Sequence, residues 1–261
     1  MLLNFTFQLY NVTNFITYTT HMANSWFAFK QFKINQDRAA MKVGTDGVLL
    51  GAWVDVEDAV DVLDIGAGTG LIALMMAQRN SMLNIDAIDI DSNACEQAKE
   101  NIEASPWSGR VIVHNISLEH FVKSSSLRYD LIVCNPPYFT NSKRSIDESR
   151  RIARHTDELT LDDLFRFSSP LITDRGKLGI VYPYADFDRA VSEAKDWGLF
   201  PEKVTFVRPT ADKEYVRVLI IFSKDDKVGF SENELVIETD QRHFYTEEFK
   251  SLVRDFYLQL K

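Results

Sequence analysis

Val62-Leu-Asp-Ile-Gly-Ala-Gly-Thr-Gly70 decides the fold. A short apolar run ends in Asp64, three glycines follow at alternate positions, and the apolar stretch Leu71–Arg79 has the length of a helix. A buried parallel strand reads as a near-continuous apolar run. A glycine-rich turn then lets the chain bend sharply and come close to a ligand. Strand, glycine turn and helix together make the opening unit of an α/β domain.

Outward from that unit the alternation continues. Val60–Ile65 is the first strand, and Ile85–Ile90 the second. Asp91 or Ser92 caps a helix to about Ala104. Val111–His114 and Tyr129–Cys134 are two more strands. Thr160 with Asp163 starts a helix that runs to Leu171. Gly176–Tyr182 is the fifth strand, and Ala185–Trp197 another helix. Lys203–Arg208 and Tyr215–Phe222 are β-rich runs joined by a short polar loop, as in an antiparallel hairpin. The expected architecture is a Rossmann-like, doubly wound, mostly parallel sheet of seven strands with an antiparallel C-terminal hairpin that supplies a reversed edge strand.

The organisation expected is a domain over 59–223, preceded by a segment over 22–58 and followed by a C-terminal extension over 224–261. The extension holds a possible strand at Leu235–Glu238 and an amphipathic helix near Thr246–Leu260. There Phe249, Leu252, Val253, Phe256, Tyr257 and Leu260 share one face, which suits docking on the core. Residues 1–21 carry no Asp, Glu, Lys or Arg and no clean period. They read as an upstream artefact or a disordered tail, with translation starting at Met22.

Composition sets limits. The chain has 261 residues and a net charge of −9, so a polyanionic partner would need cations gathered on one face. One such place exists: Lys143, Arg144, Arg150, Arg151 and Arg154 stand against only Asp147 and Glu148 between Asn141 and Thr156. By itself the cluster is a solvated surface. Cys95 and Cys134 are isolated thiols, which gives no metal site and suits a reducing, cytoplasmic compartment. The apolar N-terminus lacks a basic n-region, and no membrane span is expected.

The spacing of the loop is G-x-G-x-G, whereas a dinucleotide fingerprint is G-x-G-x-x-G. Asp64 at its entrance would repel a pyrophosphate and could hold an ammonium. S-adenosylmethionine has an ammonium and no phosphate, so the pattern favours it over NAD. Asp89, at the end of the second strand, is placed to accept hydrogen bonds from ribose hydroxyls, with Ile90 against adenine. Gly66, Gly68 and Gly70 complete the expected pocket.

Asn135-Pro-Pro-Tyr138 follows the fourth strand directly. An amino nitrogen on a planar ring has a delocalised lone pair and is a poor nucleophile. Acceptors from the Asn135 side chain and the Pro136 carbonyl would bind its two N–H groups and aim the lone pair at a methyl carbon. Pro137 stiffens the loop, and Tyr138 would stack on the planar target. No metal is required.

These residues resemble the class I Rossmann-like methyltransferases with an Asn-Pro-Pro-Tyr motif. Phe32-Lys-Ile-Asn-Gln-Asp-Arg-Ala-Ala-Met-Lys-Val-Gly-Thr-Asp-Gly-Val-Leu-Leu-Gly-Ala-Trp53 is similar to the N-terminal signature of the bacterial tRNA1(Val) adenine-37 N6-methyltransferase family, with Met41–Trp53 its most specific part. The likeness spans about Met22 to Ser223. It implies a tRNA substrate bound through the anticodon region. It also implies that Lys42–Asp46 lies over the cofactor pocket, with Thr45 and Asp46 in contact. The usual acid after the third strand is replaced here by Ser117, with Asn115 nearby. The resemblance turns Lys143, Arg144, Arg150, Arg151 and Arg154 into phosphate contacts beside the target base. His155 is either a substrate contact or a structural histidine. A monomer is expected. The rival functions are methylation of a protein glutamine amide or of rRNA guanine N2, an idle cofactor-binding scaffold, and an NAD-dependent oxidoreductase.

Overall fold

The computed structural model describes residues 24–137, 159–227 and 229–261. Its centre is an eight-stranded sheet in the order β10-β8-β9-β7-β6-β3-β4-β5. These strands are β3 (Asp61–Ile65), β4 (Asn84–Asp89), β5 (Val111–Asn115), β6 (Tyr129–Cys134), β7 (Ile172–Pro183), β8 (Phe200–Arg208), β9 (Arg217–Ser223) and β10 (Ser231–Val236). A separate antiparallel pair, β1 (Trp26–Ala28) and β2 (Lys33–Asn35), precedes them.

Alternate residues of each strand feed two apolar layers. Val62, Leu131 and Leu219 face one cluster, and their neighbours Leu63, Ile132 and Ile220 face the other. Helices α1 (Thr45–Trp53), α2 (Leu71–Arg79), α3 (Ser92–Glu103) and α7 (Glu247–Val253) cover the first layer. Helices α4 (Leu118–Ser124), α5 (Leu161–Ser168) and α6 (Phe187–Asp196) cover the second. Local chemistry starts several of them. Asp91 caps α3 by accepting from the Asn93 amide, and Thr160 caps α5 through the Asp163 amide.

Three features differ from the sequence reading. The reversed strand β9 is not at the edge: it lies between β7 and β8, antiparallel to both. Its run Arg217-Val-Leu-Ile-Ile-Phe-Ser223 is buried beyond the first residue, so it needs cover on both faces, whereas β8 is only half-buried. An eighth strand, β10, adds beyond β8 in parallel. It begins earlier than Leu235 because Ser231–Glu234, although polar and exposed, complete the ladder with Lys203–Phe206. The last helix stops at Val253 instead of Leu260, yet Phe249, Val253 and Phe256 are all buried against the core.

The order of strands fixes where a ligand belongs. From β3 the chain moves outward through β4 and β5, then jumps back across β3 to β6. In an open α/β sheet such a reversal opens a crevice at the carboxyl ends of the two strands concerned. Here those ends carry the glycine loop and Asn135. The segment 1–21 and the residues Tyr138, Lys143, Arg144, Arg150, Arg151, Arg154 and His155 lie outside the described residues.

Candidate active site at the carboxyl ends of β3 and β6

The loop after β3 needs its glycines for backbone conformation. Gly66, Gly68 and Gly70 have φ of 69°, 55° and 79°, a region that costs an L-residue with a side chain roughly 1–2 kcal/mol. A Cβ built on Gly66 or Gly68 meets nothing within 4 Å, so the loop presents an open side. The Gly66 and Ala67 amides donate to the Ile88 carbonyl at 2.9 and 3.1 Å, tying the loop to the end of β4.

Asp89 completes that tie. One carboxylate oxygen accepts from the Gly68 amide at 2.8 Å and the other from the Asp91 amide at 2.9 Å. Both oxygens are thereby oriented, and each keeps lone-pair capacity for a further donor. Next to it Ile90 is 55% exposed, an apolar surface at the mouth of the crevice. Asn115 braces the same strand end by donating to the Asp89 and Ile90 carbonyls.

Asp64 has a second duty that its position in the motif did not reveal. It is fully buried, and one oxygen accepts from the Ala73 amide at 3.1 Å in the first turn of α2. A carboxylate at a helix N-terminus is favoured by the dipole. Its other oxygen is buried with no hydrogen-bond partner. Burial pushes the Asp64 pKa up to about 7, and the nearby charge of Asp89 adds to the rise against the Ala73 bond, which lowers it.

Asn135 directly follows β6, the neighbour of β3. Its side-chain oxygen is also buried and, among the described residues, accepts no hydrogen bond. Gln78, Ser168, Arg208 and Ser223 hold similar unpaired atoms, but none of those residues is on β3 or follows β6. Pro136 is buried and Pro137 exposed. The two strands at the topological reversal thus each carry, on the strand or directly after it, one buried acceptor with no partner among the described residues. An unpaired buried acceptor costs about 1–3 kcal/mol, which a ligand donor would relieve.

Thr45 and Asp46 open α1, whose Gly47 packs its backbone against Leu71, the first residue of α2. That contact sets the first turn of α1 beside the helix that follows the glycine loop. The Asp46 carboxylate pairs with Arg217 of β9 at 2.9 Å. Ser117 is the N-cap of α4: its hydroxyl accepts from the His120 amide and lies 2.7 Å from His120 Nδ1. With the O–H directed to that ring nitrogen, one lone pair of Ser117 stays available. The cap duty follows from the pattern Ser117-Leu-Glu-His120, which the reading of Ser117 as a missing acid passed over.

Other buried polar side chains went unread. Gln36, Gln97 and Asn101 are buried and bonded to backbone around the loop region. The signal was in α3. Ala94, Ala98 and Ile102 mark its core stripe, and Gln97 and Asn101 sit on the same stripe at helical spacing. Clefts of about 310 and 260 Å³ flank β10 and are rich in acids such as Glu234, Glu238 and Glu248; neither includes a residue of the glycine loop or Asn135. Among the described residues no three His, Cys, Asp or Glu side chains converge to hold a metal, and no helix is long and apolar enough to cross a membrane.

Comparison with known proteins fits this geometry. A methyltransferase small-domain model matches residues 40–165, which includes the glycine loop and the Asn-Pro-Pro-Tyr segment. A tRNA1(Val) (adenine(37)-N6)-methyltransferase of Flavobacterium psychrophilum is 45% identical over 235 residues, covering 90% of this chain and 100% of the relative. The enzyme of the same name from Trichodesmium erythraeum is 48% identical over 240 residues, covering 91% and 100%. The chain belongs to the tRNA1(Val) (adenine(37)-N6)-methyltransferase family. Among solved structures, one described as a predicted O-methyltransferase from Agrobacterium tumefaciens superposes with a TM-score of 0.65 at 17% identity, covering 81% of this chain and 96% of that one. That likeness carries the class I methyltransferase fold alone.

Proposed function

We propose that this chain transfers a methyl group from S-adenosylmethionine to the N6 atom of an adenine in tRNA, adenine 37 of tRNA1(Val). The carrying observation is the pair of orphaned acceptors, Asp64 and Asn135, at the carboxyl ends of the two strands that flank the topological reversal. The family membership supplies the substrate.

The residues present fit the cofactor. Asp89 would take the ribose hydroxyls and Ile90, which is exposed, would meet the adenine, while the open faces of Gly66 and Gly68 would leave room for the rest of the cofactor. Gly70 sets the start of α2. The unpaired oxygen of Asp64 is the acceptor for the ammonium, and Thr45 and Asp46 close the pocket from α1. Ser117 offers its remaining lone pair to the adenine amino group. When bound, the cofactor supplies an electrophilic methyl group.

The chain's own groups do the rest by orientation. Asn135 accepts one N–H of the target amino group at its side-chain oxygen, and the Pro136 carbonyl accepts the other. The nitrogen is drawn toward tetrahedral geometry with its lone pair facing the crevice. Such positioning is worth several kcal/mol of barrier without any group of special pKa. Pro137 holds the turn, Tyr138 stacks on the base, and Lys143, Arg144, Arg150, Arg151 and Arg154 meet phosphates. The work is cytoplasmic, where tRNA is matured.

The test is methyl transfer from radiolabelled S-adenosylmethionine into small RNA, ribosomal RNA and protein from cells that lack the enzyme. Label in small RNA is the expected result. Label confined to protein would move the activity to glutamine amides, and label confined to ribosomal RNA to guanine N2.

A further inference from the structure

We infer that Asn101 is a positioning residue for cofactor capture: it locks the glycine loop to the N-terminal segment that precedes Thr45 and Asp46. The inference rests on the cofactor reading above and names a residue outside that pocket.

Asn101 lies in the last part of α3 and is 1% exposed. Its side chain makes three bonds, all to backbone of other elements. The oxygen accepts from the Asn35 amide at 2.8 Å. The amide nitrogen donates to the Asn35 carbonyl and to the Thr69 carbonyl, each at 2.9 Å. Thr69 is inside the glycine loop, and Asn35 ends β2. One side chain therefore holds both peptide groups of Asn35 and one of the loop.

The network continues toward α1. The Gln36 side chain accepts from the Val43 amide at 2.8 Å and donates to the Asn24 carbonyl at 2.9 Å, which closes residues 36–43 into a bound loop. Gln97, one turn before Asn101, accepts from the Arg38 amide at 3.2 Å. Asn101 is the member whose side chain hydrogen-bonds the glycine loop, at Thr69. At Gly70 a Cβ would stand at ordinary contact distance, 3.5 Å, from Ala98 and Ile102, so α3 lies directly against the loop that Asn101 holds. Only an amide fits the post, because it must accept once and donate twice in one plane. A carboxylate would face two carbonyl oxygens, and an apolar side chain would take the partner from three backbone groups, two of them half-buried at Asn35 and one buried at Thr69.

Loss of Asn101 should therefore loosen the pocket before the methyl-transfer step is affected. Asn101→Asp and Asn101→Leu are expected to raise the KM for S-adenosylmethionine about tenfold, the scale of one buried hydrogen-bond partnership lost, with kcat within a factor of about two. Asn80→Ala serves as the control. Asn80 donates to the carbonyls of Val56, Glu57 and Ala59, away from the glycine loop, so this variant should lower thermal stability while leaving KM unchanged. Should Asn101→Leu fail to fold, the milder Asn101→Asp carries the measurement by direct titration with S-adenosylmethionine. A KM rise confined to the Asn101 variants supports the inference. Equal KM in Asn101→Asp and wild type, or a KM that tracks stability in Asn80→Ala as well, overturns it. Wild type that binds no S-adenosylmethionine overturns the cofactor reading instead.

Discussion

The ends of β4 and β6, the strands on either side of β3, are built on opposite plans. At the β4 side, backbone and side chains satisfy one another: both Asp89 oxygens accept from amides, and Asn115 ties the carbonyls of Asp89 and Ile90. At the β6 side, the Asn135 oxygen is buried and has no hydrogen-bond partner among the described residues. Under the proposed function, the first plan would give a cofactor a fixed surface that needs no rearrangement. The second would keep an acceptor open for a substrate donor, at a standing cost in stability. Asp64 stands between them, with one oxygen on α2 and one unpaired.

The comparison can be broken most sharply at Asn135. Asn135→Ala should lower kcat by roughly a hundred- to a thousandfold, the range for removing one positioned hydrogen-bond partner. Affinity for S-adenosylmethionine, measured by titration calorimetry, should stay within about threefold. Equal loss of both would make Asn135 part of the cofactor surface and erase the contrast. On the other side, Asp89→Ala should raise the KM for S-adenosylmethionine roughly ten- to a hundredfold with kcat little changed, since it removes acceptors for the ribose and frees the Gly68 amide.

Gly68 gives a smaller effect and a finer distinction. Its φ of 55° costs an alanine about 1–2 kcal/mol of stability, yet the added Cβ meets no protein atom. Gly68→Ala should therefore weaken cofactor binding by more than it lowers folding stability, when denaturant unfolding and titration are compared. Equal losses would mean that nothing approaches the loop's open side.

Asp64 yields the smallest effect, and its sign follows from burial. Its folded-state pKa is raised from 3.8 to about 7, so ionisation opposes folding. The penalty is absent below pH 3.8, grows from there to pH 7 and is complete above it. Asp64→Asn should raise the melting temperature at pH 8 by a few degrees and leave it unchanged at pH 4, as about 1 kcal/mol moves a chain of this size by roughly 2–4 °C. In wild type, cofactor affinity should rise with pH through 7, because an ionised Asp64 meets the ammonium. Asp64→Asn should flatten that rise.

Much of this was legible in the sequence. Leu71–Arg79 was read to the residue, and Tyr129–Cys134 likewise, because long apolar runs bounded by glycines or turns have one sensible reading. The glycine loop carried its own backbone requirement in its spacing. What the sequence hid was of another kind. The place of β9 depended on which strand of a hairpin is buried on both faces, a matter of tertiary cover. The bond of Asp64 to Ala73 depends on how the loop turns into α2, and the post held by Asn101 depends on backbone groups far away in the chain, at Asn35 and Thr69. Spacing announces a side chain's chemistry more readily than its partners.

The most direct test of the central claim compares two transcripts of tRNA1(Val), identical except for adenine or guanine at position 37. Incubated with radiolabelled S-adenosylmethionine and the purified protein, the adenine transcript should take up label that digests to N6-methyladenosine, and the guanine transcript none. Equal labelling of both, or label recovered as any other nucleoside, would contradict the account.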